Sequence, residues 1–258
     1  MLQHYPPQKL LRRTVCAAAL LCVALSAQAA GHAATKRKVS VPPSADLHYA
    51  IRAQQSGFSL NGEALLTWRT SADSFSIDTE TRSALFGKII ESKSTGTIDS
   101  FGLAPVSFVE KRFRKESTTT TFNRAGKLIS FAGTPETYPL LGGEQDRNSA
   151  IWQLIAVARA NTAAFKPNSV WDFFVAGPRD AEPWLFKVID QEKIHTALGD
   201  QRTVHLNRAP PPDSKGQQLD IWLAPDLEWY PVRLRFSDGD GDYIEQTVEK
   251  IDRPMQGG

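Results

Sequence analysis

Cysteine is almost absent from this chain, and its two copies lie close together near the N-terminus. Cys16 and Cys22 both fall within an apolar run from Val15 to Leu25. The residues after Cys22 must therefore fold without a disulfide and work without a thiolate nucleophile or a thiolate metal ligand. Packing alone has to stabilise that part of the chain.

Long hydrophobic runs are also missing, because no later segment has the roughly 18 apolar residues that a membrane-spanning helix needs. The run from Val15 to Leu25 is itself too short to span, and a basic segment precedes it. Ala27-Gln28-Ala29 then has the small-x-small form of a signal-peptidase site. We predict a signal peptide over residues 1–29, cleaved near Ala29. The expected product is a soluble protein in the periplasm of a Gram-negative bacterium, with no transmembrane segment.

An excess of positive charge is missing once that segment is set aside. The whole chain has 30 Lys and Arg residues against 28 Asp and Glu, and three of the basic residues but none of the acidic ones lie in residues 1–29. The remainder therefore carries 27 minus 28, or −1. Nucleic-acid binding usually needs a clear excess of Lys and Arg on one face, so we predict no nucleic-acid partner.

Alternation of apolar and polar residues is what the rest of the chain has in abundance. From Phe58 to Trp68 the even positions are apolar or small and most odd positions are polar. This period of two predicts a strand with one buried face, and residues 47–53 and the Phe75–Ile77 segment repeat it. Further strands are predicted at 85–92, 106–115, 118–123, 128–131, 170–175, 184–189, 203–207, 219–223, 232–237 and 243–251.

One segment changes period and predicts an amphipathic helix from Ser149 to Asn161. Its apolar residues recur at intervals of three and four, at Ile151, Trp152, Leu154, Ile155 and Ala158. Such a stripe must be buried against another layer. We therefore expect a mainly β fold, with a large curved antiparallel sheet or open, incomplete β-barrel and this helix on its concave face. The predicted organisation is a flexible lead-in at 30–45, a single β-rich domain at 46–253 and a C-terminal tail at 254–258.

The densest polar cluster lies just before the helix and contains Gln145, Asp146, Arg147 and Ser149. A glycine-rich approach to a helix N-terminus can bind an anion. The alternative is capping, in which Asp146 or Ser149 accepts hydrogen bonds from free backbone N–H groups and Arg147 pairs with a neighbouring carboxylate. We predict no catalytic residue, no metal ligand and no cofactor, and an activity as an enzyme is not expected.

Two further charged motifs each have two interpretations. The segment Asp238–Asp242 resembles a calcium loop, but Tyr243 stands where that loop needs glycine. The alternative is a hairpin in which Phe236 pairs with Ile244 and Arg235 with Glu245. The basic run Lys111–Lys115, with an aromatic residue inside it, would suit contact with lipid head groups or a solvated strand face.

Several of these segments resemble a family of exported bacterial proteins known as a domain of unknown function, DUF3108. The resemblance rests on residues 145–149, on Gly102–Pro105, on Ile221–Pro225 and on Tyr230–Arg233. It implies an exported, β-rich, one-domain protein and brings no catalytic residues.

Three hypotheses for the function follow from the predicted fold and the predicted export. By analogy of fold alone, the periplasmic carriers of acyl chains suggest a non-enzymatic envelope protein that binds an apolar ligand or lipid. A structural or assembly factor that binds another envelope protein, through a strand edge or the concave face, is the alternative. A hydrolase has the least support.

Overall fold

The computed structural model describes residues 32–210 and 216–254. The signal peptide predicted over residues 1–29 lies outside these residues, as do Pro211, Pro212 and positions 255–258. Predictions that concern those segments stay predictions.

Alternating residues form strands through most of the described chain, as their period of two predicts. The strands are β1 Ala45–Gln55, β2 Phe58–Thr70, β3 Ser74–Ser83, β4 Gly87–Asp99, β5 Gly102–Arg112, β6 Thr118–Asn123, β7 Leu128–Phe131, β8 Thr137–Pro139, β9 Gln145–Asp146, β10 Val170–Ala176, β11 Ala181–Thr196, β12 Gly199–Arg208, β13 Gln218–Ala224, β14 Tyr230–Ser237 and β15 Tyr243–Asp252. Helix α1 spans Ser149–Ala160, and short 3₁₀ turns lie at Thr162–Ala164 and Pro225–Leu227.

All 15 strands join one continuous sheet in the order β8-β7-β6-β5-β4-β3-β2-β1-β15-β14-β13-β12-β11-β10-β9. Neighbours are antiparallel except the short parallel pair of β9 and β10. The pairing of β1 with β15 joins an N-terminal meander to a C-terminal one. The predicted fold class, a large open curved antiparallel sheet with one central helix, is confirmed within the described residues.

Most strands extend beyond their predicted bounds, and the short strands β8 and β9 were not predicted. At two hairpin tips, by contrast, the predicted strand runs past the observed one. The strand predicted at 85–92 begins only at Gly87, so Leu85 and Phe86 lie in the β3–β4 turn. The strand predicted at 106–115 ends at Arg112, which leaves Phe113 in the β5–β6 turn. The alternation continued past the strands because these turns themselves carry apolar side chains.

The two ends of the sheet contact each other through side chains. Phe108 and Phe122 belong to the same buried cluster as Phe174 from the opposite end. Thr120 Oγ1 also donates a hydrogen bond of 2.7 Å to the carbonyl oxygen of Gly177. The sheet is therefore an incomplete barrel whose gap is bridged by packing and not by backbone pairing.

Helix α1 lies inside this curve and is anchored to the sheet by an aromatic contact and an amide. The Trp152 ring stacks on Trp68 of β2 with centroids 4.3 Å apart. The Gln153 side chain accepts a 2.8 Å hydrogen bond from the Leu103 amide and donates one of 2.8 Å to the Phe101 carbonyl. Gly102 lies between them at φ +105, where a Cβ would collide with that amide group.

The lead-in at residues 32–44 forms no helix or strand, but it has specific partners that composition does not reveal. The Ser40 amide donates to the Ala156 carbonyl of α1 at 2.8 Å. The Trp68 indole donates to the Pro42 carbonyl at 3.0 Å, and the Tyr230 hydroxyl to the Pro43 carbonyl at 2.7 Å. These lead-in carbonyls are therefore the acceptors for otherwise buried donors.

The start of the lead-in also covers the free edge of β10. The His32 ring stacks on Phe174 with centroids 3.9 Å apart. Arg37 lies over the Phe173 ring and pairs with Asp172 at 2.6 Å. All seven residues of β10 pair with β11 on one side, whereas on the other side β10 has only the two-residue partner β9, so these side-chain contacts lie beside an edge that is mostly unpaired.

The final hairpin has the predicted register. Phe236 lies opposite Ile244 and Arg235 opposite Glu245, with 3.6 Å between Arg235 Nη1 and Glu245 Oε2. At the tip, Asp238 Oδ1 accepts hydrogen bonds from the amides of residues 240 and 242. This carboxylate is therefore used to shape the turn, which supports the hairpin interpretation over the calcium loop.

Candidate functional site

The N-cap of α1 is Asn148 and not Asp146 or Ser149 as predicted, and the Asn148 side chain makes no capping hydrogen bond. Asp146 nevertheless supplies an acceptor for the helix start from two residues before the cap. Asp146 Oδ1 accepts hydrogen bonds from the amides of Asn148 at 2.8 Å and Ser149 at 2.9 Å. The Ser149 hydroxyl accepts in return from the Asp146 amide at 2.9 Å. This reciprocal pair satisfies donors that a helix start leaves free.

The Asp146 carboxylate is fully buried, and burial has an electrostatic consequence. Burial raises the pKa of Asp146 to about 6, although hydrogen bonds from Ser94, Ser149 and Asn148 act in the opposite direction. Ser94 lies on β4, so the same carboxylate ties the helix start to the sheet.

Gln145 is buried beside Asp146 and links β9 to β5, which lies towards the opposite end of the sheet. Its side-chain amide donates to the carbonyl of Leu103 at 2.7 Å and to that of Gly143 at 3.1 Å. Its Oε1 has no hydrogen-bond partner among the described residues. Gln145, Asp146 and Ser149 therefore share a structural role at the junction of helix and sheet.

Arg147 departs from the rest of the cluster and points to the turn between β10 and β11. Its guanidinium lies against Gly177. The predicted ion pair with a neighbouring carboxylate does not form with any residue in 32–210 or 216–254. Its near neighbour is instead the like-charged Arg208. The sequence could not reveal this meeting because 61 positions separate the two arginines.

The interface between α1 and the sheet is filled by aromatic side chains. Trp68, Trp152, Tyr49, Tyr230 and Phe165 are among the largest fully buried residues. The Tyr49 hydroxyl donates to the Pro231 carbonyl at 2.7 Å, and burial raises the pKa of both tyrosines, to about 12 for Tyr230. These side chains fill the space between α1 and the sheet.

Two open grooves lie elsewhere on the surface. A groove of about 440 Å³ crosses β2 to β5, with Leu65 and Val109 among charged neighbours. A second, of about 330 Å³, is bordered by Arg52, His195 and Arg233. Neither groove is lined by α1.

An apolar patch lies at the tips of two neighbouring hairpins, residues 84–88 and 111–117, which we call the hairpin rim. Leu85 is 72%, Phe86 59% and Phe113 44% exposed. The rings of Phe86 and Phe113 are 6.2 Å apart between centroids. Sequence reasoning identified the basic run around Phe113 but assigned Leu85 and Phe86 to a strand, so the patch as a whole was missed.

Positive charge surrounds this apolar patch. Arg112 pairs with Glu110, and Lys88 with Glu80 and Glu91. By contrast, Lys111, Arg114 and Lys115 have no carboxylate partner in the described part of the chain. Arg114 lies instead over the Phe113 ring, 4.9 Å from its centroid. The hairpin rim therefore combines exposed rings with three cations that form no ion pair within the described residues, and it also contains one exposed acidic residue, Glu116.

Comparison with known families decides the chain's relationship. The family described as "Protein of unknown function (DUF3108)" matches residues 45–249, which is most of the chain. The chain belongs to the DUF3108 family. This confirms the resemblance seen in the sequence and adds no activity to it. No curated protein matches this DUF3108 chain in sequence.

Solved structures similar to this DUF3108 chain share little sequence with it. Lipoprotein LppX from Mycobacterium tuberculosis is 12% identical at a TM-score of 0.28, with 82% of this chain and 88% of that chain covered. A domain from Vibrio parahaemolyticus, described as an outer membrane lipoprotein-sorting protein, is 9% identical at 0.30, covering 84% and 87%. A DUF1329 family protein from Desulfovibrio piger is 7% identical at 0.29, covering 84% and 88%. At such TM-scores these structures carry no argument about the function of this chain.

The described part of the chain also contains no helix that is both long and apolar enough to cross a membrane.

Proposed function

We propose that this DUF3108 protein is an exported, non-enzymatic protein of the bacterial envelope that binds a lipid surface through its hairpin rim. The observation that carries the proposal is the position of Leu85, Phe86 and Phe113 on adjacent tips, beside three cations that form no ion pair within the described residues. The predicted signal peptide supports the proposed export to the envelope.

Exposed aromatic and aliphatic side chains at turn tips are costly in water and favourable at a membrane interface. Burying one such side chain contributes roughly 1.5–3 kcal/mol. Rings at this level suit the boundary between head groups and acyl chains. The tip side chains can enter that boundary while the strands behind them remain paired.

The charge of the hairpin rim indicates an anionic surface. Each Lys or Arg close to anionic lipids contributes about 1 kcal/mol, and salt screens this attraction. Lys111, Arg114 and Lys115 are available for such contacts because they form no ion pair within the described residues. The nearest acidic residues in register and sequence are Glu91, opposite Lys111, and Glu116, which follows Lys115.

The interior supports surface binding over the carrier hypothesis with an internal cavity. A cavity for an acyl chain would have to open between α1 and the sheet, where Trp152 stacks on Trp68. Opening that space would separate well-packed rings and cost several kcal/mol, as removal of such side chains does.

The alternative function, capture of an envelope protein by strand addition, has less support from the geometry. The free edge of β10 is covered by Arg37 and His32 of the lead-in. The opposite edge, β8, is only three residues long. Short or covered edges are how proteins prevent strand addition.

Co-sedimentation with vesicles tests the proposal. The protein should bind vesicles that contain phosphatidylglycerol and bind pure phosphatidylcholine vesicles far more weakly. Phe86→Ser with Phe113→Ser should lower the partition coefficient at least tenfold, because two rings leave the interface. Lys111→Gln, Arg114→Gln and Lys115→Gln together should lower it as much and remove most of its salt dependence.

A matched control changes one exposed apolar and one exposed basic residue away from the hairpin rim. Leu185 is 55% exposed on β11, and Lys187 is exposed beside it. Leu185→Ser with Lys187→Gln should leave vesicle binding unchanged. Equal loss of binding in the control and the rim variants would contradict the proposal, as would equal binding to both kinds of vesicle.

A further inference from the structure

Arg147 is held at the β10–β11 turn by shape and not by a charge partner. A Cβ on Gly177 would come within 2.7 Å of Arg147 Nη2, so only glycine allows the guanidinium to lie so close. In the ranges 32–210 and 216–254, no acceptor bonds to this guanidinium. Arg147 is also half-buried, so part of its charge lacks solvation as well.

Arg208 reaches the same turn from β12, through Glu182 at the start of β11, and is buried at 7% exposed. Its Nη2 donates to Glu182 Oε1 at 2.6 Å and its Nη1 to the Gln217 carbonyl at 3.0 Å. Its guanidinium lies over the Trp184 ring, 4.7 Å from the centroid. The third donor, Nε, is buried and has no acceptor among the described residues. Leaving a buried donor without an acceptor is unfavourable, and a bound ligand is one explanation of such an unpaired group.

The local charge balance is positive. Burial lowers the pKa of Arg208; the ion pair with Glu182 raises it, and the charge of Arg147 lowers it again. Among the described groups that bond to either guanidinium, two positive charges face the one Glu182 carboxylate, a sum of +1. Arg179 and Asp180 of the same turn are exposed and of opposite sign, so they do not change this sum.

We infer that Arg147 and Arg208 together bind a singly charged oxyanion beside the β10–β11 turn. The planar fork of a guanidinium matches the paired oxygens of a carboxylate or a phosphodiester. One bound anion would supply acceptors for Arg147 and for the unpaired Arg208 Nε, and it would neutralise the net charge. This site is distinct from the hairpin rim and does not depend on vesicle binding there.

The same chemistry has more than one source, so the test uses three probes. ¹⁵N-labelled protein is titrated with sodium acetate, with sodium phosphate at pH 6 and with dihexanoyl phosphatidylglycerol below its micelle concentration. Each titration is compared with sodium chloride at equal ionic strength. The Arg208 Nε–H and Trp184 Nε1–H resonances should shift and saturate with at least one probe and not with chloride.

Substitution of Arg147 makes the assignment specific. Arg147→Gln should weaken the binding at least tenfold, and Arg147→Lys, which keeps the charge but loses the fork, should weaken it less. Arg179→Gln, on the same turn, is the control and should leave it unchanged. If Arg147→Gln does not fold, Arg147→Lys alone carries the comparison.

The outcomes separate as follows. A response to phosphatidylglycerol alone identifies a lipid head group, and a response to phosphate or acetate identifies a general oxyanion site. Either supports the inference. It is overturned if no probe gives a saturable shift beyond chloride, or if the Arg147 variants bind as tightly as the unchanged protein.

Discussion

Two regions of this molecule contain clustered aromatic side chains in opposite surroundings. Inside, Trp152 of α1 stacks on Trp68 and both are fully buried. At the hairpin rim, Phe86 meets Phe113 while both rings stay largely exposed. The first cluster excludes water and stabilises the fold. The second buries little and therefore needs an explanation other than folding.

Polar residues differ between the two regions in the same way. At the buried helix start, Asp146 accepts hydrogen bonds from a serine hydroxyl and two backbone amides. At the hairpin rim, Lys111 and Lys115 have no carboxylate partner in the described chain. The Asp146 carboxylate is thus satisfied by internal partners, whereas the rim presents groups that a partner surface can use.

The largest expected effect is on the interior cluster. Trp152→Ala should lower the free energy of unfolding by about 3–5 kcal/mol, because it removes a buried ring and leaves a cavity beside Trp68. Urea unfolding followed by circular dichroism measures this change. A loss below about 1 kcal/mol would show that the interior is loosely packed, and the carrier hypothesis would then regain support.

Asp146 gives the next effect, and it depends on pH. Its folded-state pKa of about 6 lies above the ordinary value of 3.8, so the folded state retains the proton more strongly than the unfolded state. The contribution of Asp146 to the free energy of unfolding should therefore be greatest below pH 4. It should fall by up to about 3 kcal/mol as the pH rises from 4 through 6.

Asp146→Asn isolates that contribution. Asparagine keeps an acceptor for the Asn148 and Ser149 amides, so the variant should be at least as stable as the unchanged protein at pH 7. Its stability should also vary less between pH 4 and pH 6. Thermal unfolding across this range provides the measurement, and an unchanged pH profile would be inconsistent with a raised pKa of Asp146.

The smallest effect belongs to the hairpin rim. Phe86→Ala should change the free energy of unfolding by less than about 1 kcal/mol, because the ring is exposed and contacts only one other ring. Urea unfolding under the conditions used for Trp152→Ala tests the contrast directly. A loss as large as that of the interior variant would mean that the rim residues serve folding and not binding.

Local pattern was sufficient for much of the fold. The two-residue period of apolar side chains predicted β2, and the change to intervals of three and four predicted α1. The register of the final hairpin could be predicted from the pairing of Arg235 with Glu245. These features depend on residues close together in sequence. Signal and tail segments remain predictions.

Features that depend on distant residues could not be obtained in this way. The contact between Phe86 and Phe113 requires β3 to β6 to be neighbours, and the approach of Arg147 to Arg208 requires the helix start to reach the β10–β11 turn. The anchoring of the lead-in depends on the carbonyls of Pro42 and Pro43, which composition does not distinguish from solvated ones. Of the helix-start cluster, sequence predicted that Asp146 would accept hydrogen bonds from helix-start amides, but neither the cap position at Asn148 nor the separate position of Arg147.

Hydrogen–deuterium exchange in the presence of phosphatidylglycerol vesicles tests the central claim most directly, because it locates the lipid contact. The account predicts added protection at amides of residues 84–88 and 111–117, with no change in α1. Protection centred on residues 149–160 and the strands that face them, or no change at the hairpin rim in vesicle-bound protein, would contradict it.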